Sequence, residues 1–215
     1  MSDRYQINSE EELWEVIVKS KRQNKALVER LYDHIDEYAQ SFIADSPVVF
    51  FATADNSGHV DVSVKGDAPG FIEFVDSKTL LFPERKGNTD ARNLRNILKN
   101  DQVSLLFAIP RTKDVLRVTG RAAITKDPAL LERMVSCGKP AQLCVKIHVQ
   151  ECFFHCARAF NRCHMWNPEK WPVSEKHHKR NQMAHRKNMS AKDIEEFSEQ
   201  TKEYFVEMGE YDGAY

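Results

Sequence analysis

Between Phe82 and Leu98, residue types and spacing suit the holding of an anion. Phe82-Pro83 closes an apolar run, Glu84-Arg85-Lys86-Gly87 follows as a charged loop, and Asn88 stands where a helix N-cap belongs. Free amide groups at a helix start, with Arg and Lys beside them, form a place for a phosphate dianion. Arg85, Lys86 and Arg92 would supply the charge. Elsewhere, Ser63 and Lys65 share the polar face of one alternating run, and Arg117, Thr119 and Arg121 share a face of another. Cations on faces that are ordinarily apolar or uncharged point to an anionic ligand. Each residue also has a plain reading: Arg85 and Lys86 as solvated loop charges, Gly87 as a turn, and Arg117 and Arg121 as solvent-facing residues of an edge strand. Asp90 fits the first turn of a helix through the helix dipole alone.

These residues must be positioned by the elements around them. Residues 8–45 read as helical, with Ser9 and Glu12 as a capping box and Leu27, Leu31, Ile35, Tyr38 and Phe42 recurring every three or four residues. From Pro47 to about Gln150 the period becomes two. Val48–Thr53, Val60–Lys65, Phe71–Val75, Thr79–Phe82, Val103–Ile109, Val115–Ile124 and Leu143–Val149 read as strands separated by turn residues. In the second of them Val60, Val62 and Val64 alternate with Asp61, Ser63 and Lys65, so one face is polar. Short helices are expected at Thr89–Lys99, with Ala91, Leu94, Ile97 and Leu98 inward, and at Asp127–Ser136. A last helix is expected from Cys156 to Met165. The class is mainly β with helices (α+β): about six strands forming a small antiparallel barrel. Residues 1–46 form an N-terminal helical segment, 47–172 the barrel domain and 173–215 a charged helical extension, basic and then acidic.

Composition limits the function. The 215 residues carry 31 Lys plus Arg against 32 Asp plus Glu, a net charge of −1, and 41% are apolar. Near-neutrality gives no whole-chain reason for nucleic-acid binding. No apolar run approaches the roughly 18–20 residues of a membrane span, and the first dozen residues lack a signal-peptide core. A soluble, cytoplasmic protein without membrane contact is expected. Five cysteines, from Cys137 to Cys163, do not suit a secreted disulfide framework. Cys152, His155, Cys156, Cys163 and His164 are dense enough for a soft metal, but the Cys-x2-Cys pairs of structural zinc are missing. Buried small residues explain the cysteines better, and no metal is expected.

The stretches Ser63-Val64-Lys65-Gly66-Asp67-Ala68-Pro69-Gly70-Phe71, Leu80-Leu81-Phe82-Pro83-Glu84-Arg85-Lys86-Gly87-Asn88, Val103-Ser104-Leu105-Leu106-Phe107 and Leu116-Arg117-Val118-Thr119-Gly120-Arg121-Ala122 occur in this order. Together they resemble the pyridoxamine 5'-phosphate oxidase-like family of FMN-binding split barrels, over about residues 47–172. Phe154-His155-Cys156-Ala157-Arg158-Ala159 and Trp166-Asn167-Pro168 resemble the closing helix of one bacterial branch. The resemblance implies a six-stranded split β-barrel, a homodimer with FMN in two interfacial clefts, and oxidoreductase chemistry on a small-molecule substrate. It assigns Lys65, Arg85, Asn88 and Arg92 to the phosphate, Ser63 to the ribityl chain and Arg117 to the ring, with Lys86 kept as the further cofactor-binding cation that the loop's residue types suggest. Trp166 would stack on the flavin or anchor its helix. The flavin carries the reaction, so no side chain is required as a nucleophile. A non-catalytic holder of FMN or haem on the same barrel is the alternative. Two departures stand out: Asp90 where an Arg is common, and a C-terminus without the Arg-Leu-rich ending of the vitamin B6 oxidases.

Overall fold

The computed structural model describes residues 6–17, 31–85, 90–136, 138–171, 190, 192–196 and 199–200. The chain divides into two compact units, Met1–Arg158 and Ala159–Tyr215.

In the first unit, α1 spans Glu10–Ile17. Ser9 Oγ accepts the Glu12 amide at 3.2 Å and Glu12 Oε2 accepts the Asn8 amide at 2.9 Å, so the expected capping box forms with its return arm moved by one residue. Residues 8–45 are not one helix. The chain bridges Tyr32 to Cys152, and α2 (Glu37–Asp45) begins only after Asp36, whose carboxylate accepts the Ala39 amide at 2.8 Å. That cap sets which face turns inward: Ile35, Ala39, Phe42 and Ile43 are buried, whereas the expected Leu31 and Tyr38 are exposed. Leu27 lies outside the described residues.

The strands are β1 (Val48–Ala54), β2 (Val60–Gly66), β3 (Glu73–Asp76), β4 (Thr79–Glu84), β5 (Gln102–Ala108), β6 (Asp114–Thr125), β7 (Val135–Ser136), β8 (Lys139–Pro140) and β9 (Leu143–Cys156). Seven form one antiparallel sheet in the order β2-β1-β5-β6-β9-β4-β3, matching the seven runs read as strands, with the short β3 at one edge; β7 and β8 form a separate hairpin. The sheet is open along its hydrogen bonds yet curls into a split barrel. Phe51 of β1 stacks on Phe82 of β4 with ring centroids 5.3 Å apart, although β5, β6 and β9 lie between those strands. Val49, Phe51, Leu80, Phe82, Leu105, Phe107, Leu116 and Ile147 fill the interior, closed by the buried face of α2. Burying these aliphatic and aromatic groups, each worth about 1.5–3 kcal/mol, drives the curl.

Two inserts differ from expectation. The first helix, α3, covers only Arg92–Ile97; its N-cap Ala91 has φ 46° and makes no side-chain cap bond. It buries Asn93, Asn96 and Ile97, while Ala91 and Leu98 are exposed. The second, α4, covers only Pro128–Leu131, with Asp127 as its cap, and the β7–β8 hairpin takes over. Cys156 ends β9 instead of opening a helix, and α5 spans Arg158–Arg162. Cys144 and Cys152 are buried as expected of small apolar residues, but Cys156 and Cys163 are exposed.

In the second unit Trp166 packs edge-on against Phe160, centroids 5.4 Å apart, and the Trp171 indole donates to the His164 carbonyl at 2.8 Å. Residues 192–196 are helical; most of the 173–215 extension lies outside the described residues. Among the described residues no helix is long and apolar enough to cross a membrane.

Gly120 allows β6 and β9 to approach at the register shift after Thr119. A Cβ there would lie 2.1 Å from the His148 carbonyl oxygen, with no flexible side chain to give way. Gly120→Ala is therefore expected to destabilise the fold by about 1–3 kcal/mol, read from the midpoint of urea unfolding.

Candidate functional site

The polar face of β2 turns inward. In the β1–β2 register Asp61 lies opposite Thr53, Ser63 opposite Phe51 and Lys65 opposite Val49. Directly paired residues share a sheet face, and Val49, Phe51 and Thr53 are buried, so Asp61, Ser63 and Lys65 line the barrel side. Val60, Val62 and Val64 point outward, 68%, 64% and 63% exposed. An edge strand with valines in water and charges inside inverts the usual pattern.

The inward charges meet the end of β4. Lys65 Nζ donates to Glu84 Oε1 at 2.6 Å, and Arg85 Nε donates to Asp67 Oδ2 at 3.1 Å. Asp67 Oδ1 also accepts the Ser136 hydroxyl and the Ala68 amide, each at 2.8 Å, and Arg85 donates to the Met134 carbonyl. Two ion pairs thus fasten β2 to β4 across the split of the barrel, and the β7–β8 hairpin backs one of them. Two buried oxygens here have no hydrogen-bond partner: Ser63 Oγ and Glu84 Oε2.

Arg92 leans on Asp61 at 3.3 Å and on Asp90 at 3.4 Å, and these carboxylates raise its pKa. The carboxylate of Asp90 therefore pairs with the cation expected to offset it. Asp61 also accepts the Asn96 amide at 2.8 Å, and the Thr53 hydroxyl accepts both Asn93 and Asn96 at 3.1 Å. This buried polar network fastens α3 to β1 and β2. Periodicity missed it because the apolar stripe Ala91, Leu94, Ile97 and Leu98 pointed to a different helix face from the one on which Asn93 and Asn96 are buried. Their three-residue spacing opposite a threonine in an apolar strand was the available signal.

Of the residues proposed to hold a cofactor, Ser63, Lys65 and Arg85 converge at the split, and Arg92 adjoins them through Asp61. Lys86 and Asn88 lie outside the described residues, as does the expected cap at the loop's end. The described helix, α3, starts at Arg92 with Ala91 at its N-cap position. Arg117 stands on the outward face, beside Leu106 in the β5–β6 register, with its guanidinium carbon 5.5 Å from the Phe153 ring centroid. Trp166 belongs to the second unit.

A separate cavity of about 310 Å³ is lined by Tyr32, His34, Asp114, Phe153, His155 and Cys156, among others, and shares no residue with the split. His155 Nε2 is buried without a hydrogen-bond partner. Burial, and then the nearby Arg117 charge, lower the His155 pKa. Burial pushes the Cys152 thiol up to about 12. Among the described residues no group of three or more His, Cys, Asp or Glu is arranged to hold a metal ion.

A family model, pyridoxamine 5'-phosphate oxidase, matches residues 35–156, more than half of the chain. The chain belongs to this family, whose members share an FMN-binding split-barrel fold. Similar solved structures include HupZ of Group A Streptococcus, 21% identical over 57% of this chain and 95% of that one, with a TM-score of 0.47. An FMN-binding protein of Syntrophomonas wolfei is 12% identical over 61% and 92%, TM-score 0.43. General Stress Protein 26 of Bacillus anthracis is 15% identical over 54% and 88%, TM-score 0.42. No curated protein matches at a significant level.

Two consequences can be measured. Thr53→Val removes the acceptor shared by Asn93 and Asn96 while keeping the volume, and is expected to cost about 1–3 kcal/mol in urea unfolding. For His155 the folded pKa lies below the unfolded one, so the unfolded chain takes up the proton first as pH falls. Stability is expected to drop as pH falls from about 7 through the ordinary imidazole value of about 6.5, and His155→Gln should flatten that part of the profile.

Proposed function

We propose that this chain is an FMN-dependent oxidoreductase that works as a homodimer. The observation that carries this reading is the convergence of Ser63, Lys65 and Arg85 at the barrel split, in a chain of the pyridoxamine 5'-phosphate oxidase family. The residues fit a mononucleotide. Lys65 and Arg85 offer cations to a phosphate ester, and the buried, unpartnered Ser63 hydroxyl offers a hydrogen bond to a polyol chain one strand repeat away. Flavin mononucleotide bound there would supply hydride and electron transfer at its ring. The chain's own residues anchor the anion, orient the chain beyond it and, through the apolar lining of the barrel, keep water from the reacting face.

The second copy is proposed from the outward face of β2. Val60, Val62 and Val64 continue into Phe50, paired with Val64, and into Leu106, paired with Phe50. A continuous apolar strip on an edge strand is a surface that water disfavours and a copy of itself can cover. Arg117, adjoining Leu106 on that face, would reach the partner's cleft. The small-molecule substrate would enter from the same interface. A cytoplasmic location agrees with four free cysteines among the described residues.

Protein purified without added cofactor is expected to be yellow, to release FMN on heating, and to bleach with NAD(P)H and recolour in air. Colour without turnover would support a cofactor-binding protein that does not catalyse, a Soret band would support haem, and no binding of added FMN at micromolar concentration would overturn the reading. Val62→Lys is expected to convert the dimer to a monomer in sedimentation and to weaken FMN binding by about 10-fold or more, because a buried like charge opposes both copies.

A further inference from the structure

Every described cation at the split is matched by a carboxylate of the chain itself: Lys65 by Glu84, Arg85 by Asp67, Arg92 by Asp61 and Asp90. A phosphate ester therefore meets no cation that lacks a partner among these three and must compete for one. The pairs are not equally fastened. Asp67 has both carboxylate oxygens satisfied, by Arg85 on one side and by Ser136 and the Ala68 amide on the other, and Arg85 is further held by the Met134 carbonyl. Glu84 has one oxygen on Lys65, while Oε2 is buried with no donor. Lys65 and Glu84 are both mostly buried, 24% and 18% exposed, so their charges are only partly screened by water. A buried acceptor without a donor is a standing cost, so Glu84 is the less fully satisfied of the two carboxylates and loses fewer hydrogen bonds on leaving its cation.

We infer that Glu84 is an internal competitor for the anionic end of the ligand: its carboxylate occupies the Lys65 ammonium, and a phosphate ester takes that ammonium by displacing it. The inference rests on the flavin-binding reading above and adds a residue that sets the affinity and selectivity of that site. The Ser63 hydroxyl lies two residues from Lys65 on the same strand face, so a ligand that displaces Glu84 gains a second polar partner about 7 Å away. The Asp67–Arg85 pair stays in place and keeps the barrel closed. Selectivity follows from the same exchange, because a flavin without a phosphate has no group with which to compete for Lys65.

The test is a fluorescence titration of the full chain, stripped of flavin, with FMN and separately with riboflavin, for the native protein, Glu84→Gln and Glu84→Asp. Glu84→Gln keeps the size and the ability to accept from Lys65 but removes the competing charge. It is expected to tighten FMN binding by about 10-fold and to leave riboflavin binding unchanged, and Glu84→Asp should fall between it and the native protein. As a readout independent of flavin, inorganic phosphate should raise the melting temperature of Glu84→Gln more than that of the native protein. Equal or weaker FMN binding by a folded Glu84→Gln overturns the inference, as does equal tightening of FMN and riboflavin. If Glu84→Gln does not fold, FMN binding by Glu84→Asp no tighter than native overturns it. Native protein that binds FMN while neither variant differs from it sinks this inference alone; if no form binds either flavin, the functional reading falls with it.

Discussion

The structure depends on closing a sheet that hydrogen bonds leave open. β2 and β4 stand near opposite ends of a seven-stranded order, and no ladder joins them. Apolar burial curls the sheet far enough for Phe51 to stack on Phe82, and then two crossed ion pairs, Lys65 with Glu84 and Arg85 with Asp67, bridge the remaining gap. Ion pairs of this depth contribute little net stability, since desolvation offsets much of the attraction. Their importance here is positional: they bring four charged groups to one end of a hydrophobic barrel and hold them in register.

That closure explains why β2 is built inside out. A strand whose inner face must reach across a split with charge cannot also present its apolar residues inward, because successive side chains alternate between faces. Val60, Val62 and Val64 are consequently turned to the outside, where they extend the apolar strip of β1 and β5. The inner charges and the outer valines are two results of a single pattern with a period of two. A one-residue slip would bury the valines and solvate the charges, abolishing both surfaces together.

The α3 insert shows a second use of buried polarity. Thr53, Asn93 and Asn96 form a network that seats a six-residue helix, too short to be stable through its own hydrogen bonds, against the sheet. Through Asn96 the network reaches Asp61, and through Asp61 it reaches Arg92, so the helix and the polar edge of β2 are positioned as one piece. The cavity around His155 and Tyr32 stands apart from this arrangement, and both residues of the Tyr32–Cys152 bridge line it.

Strand alternation, turn residues and the polar face at Asp61, Ser63 and Lys65 were legible in the amino-acid order, since side-chain direction in a strand depends only on local geometry. The family resemblance around Phe82-Pro83-Glu84-Arg85 was legible too, carried by the motifs and their order in the chain. Three things were not. The inward face of α2 depended on where Asp36 caps the helix, and the face of α3 on which neighbours its asparagines meet. Lys65 and Arg85 could be named as cations from the sequence, but that Glu84 and Asp67 already hold them could not, because those partners lie 19 and 18 positions away in the chain. Local periodicity thus determined which side chains share one face of a strand. Only the curl of the sheet, a consequence of burying its whole apolar face at once, decided which of them meet.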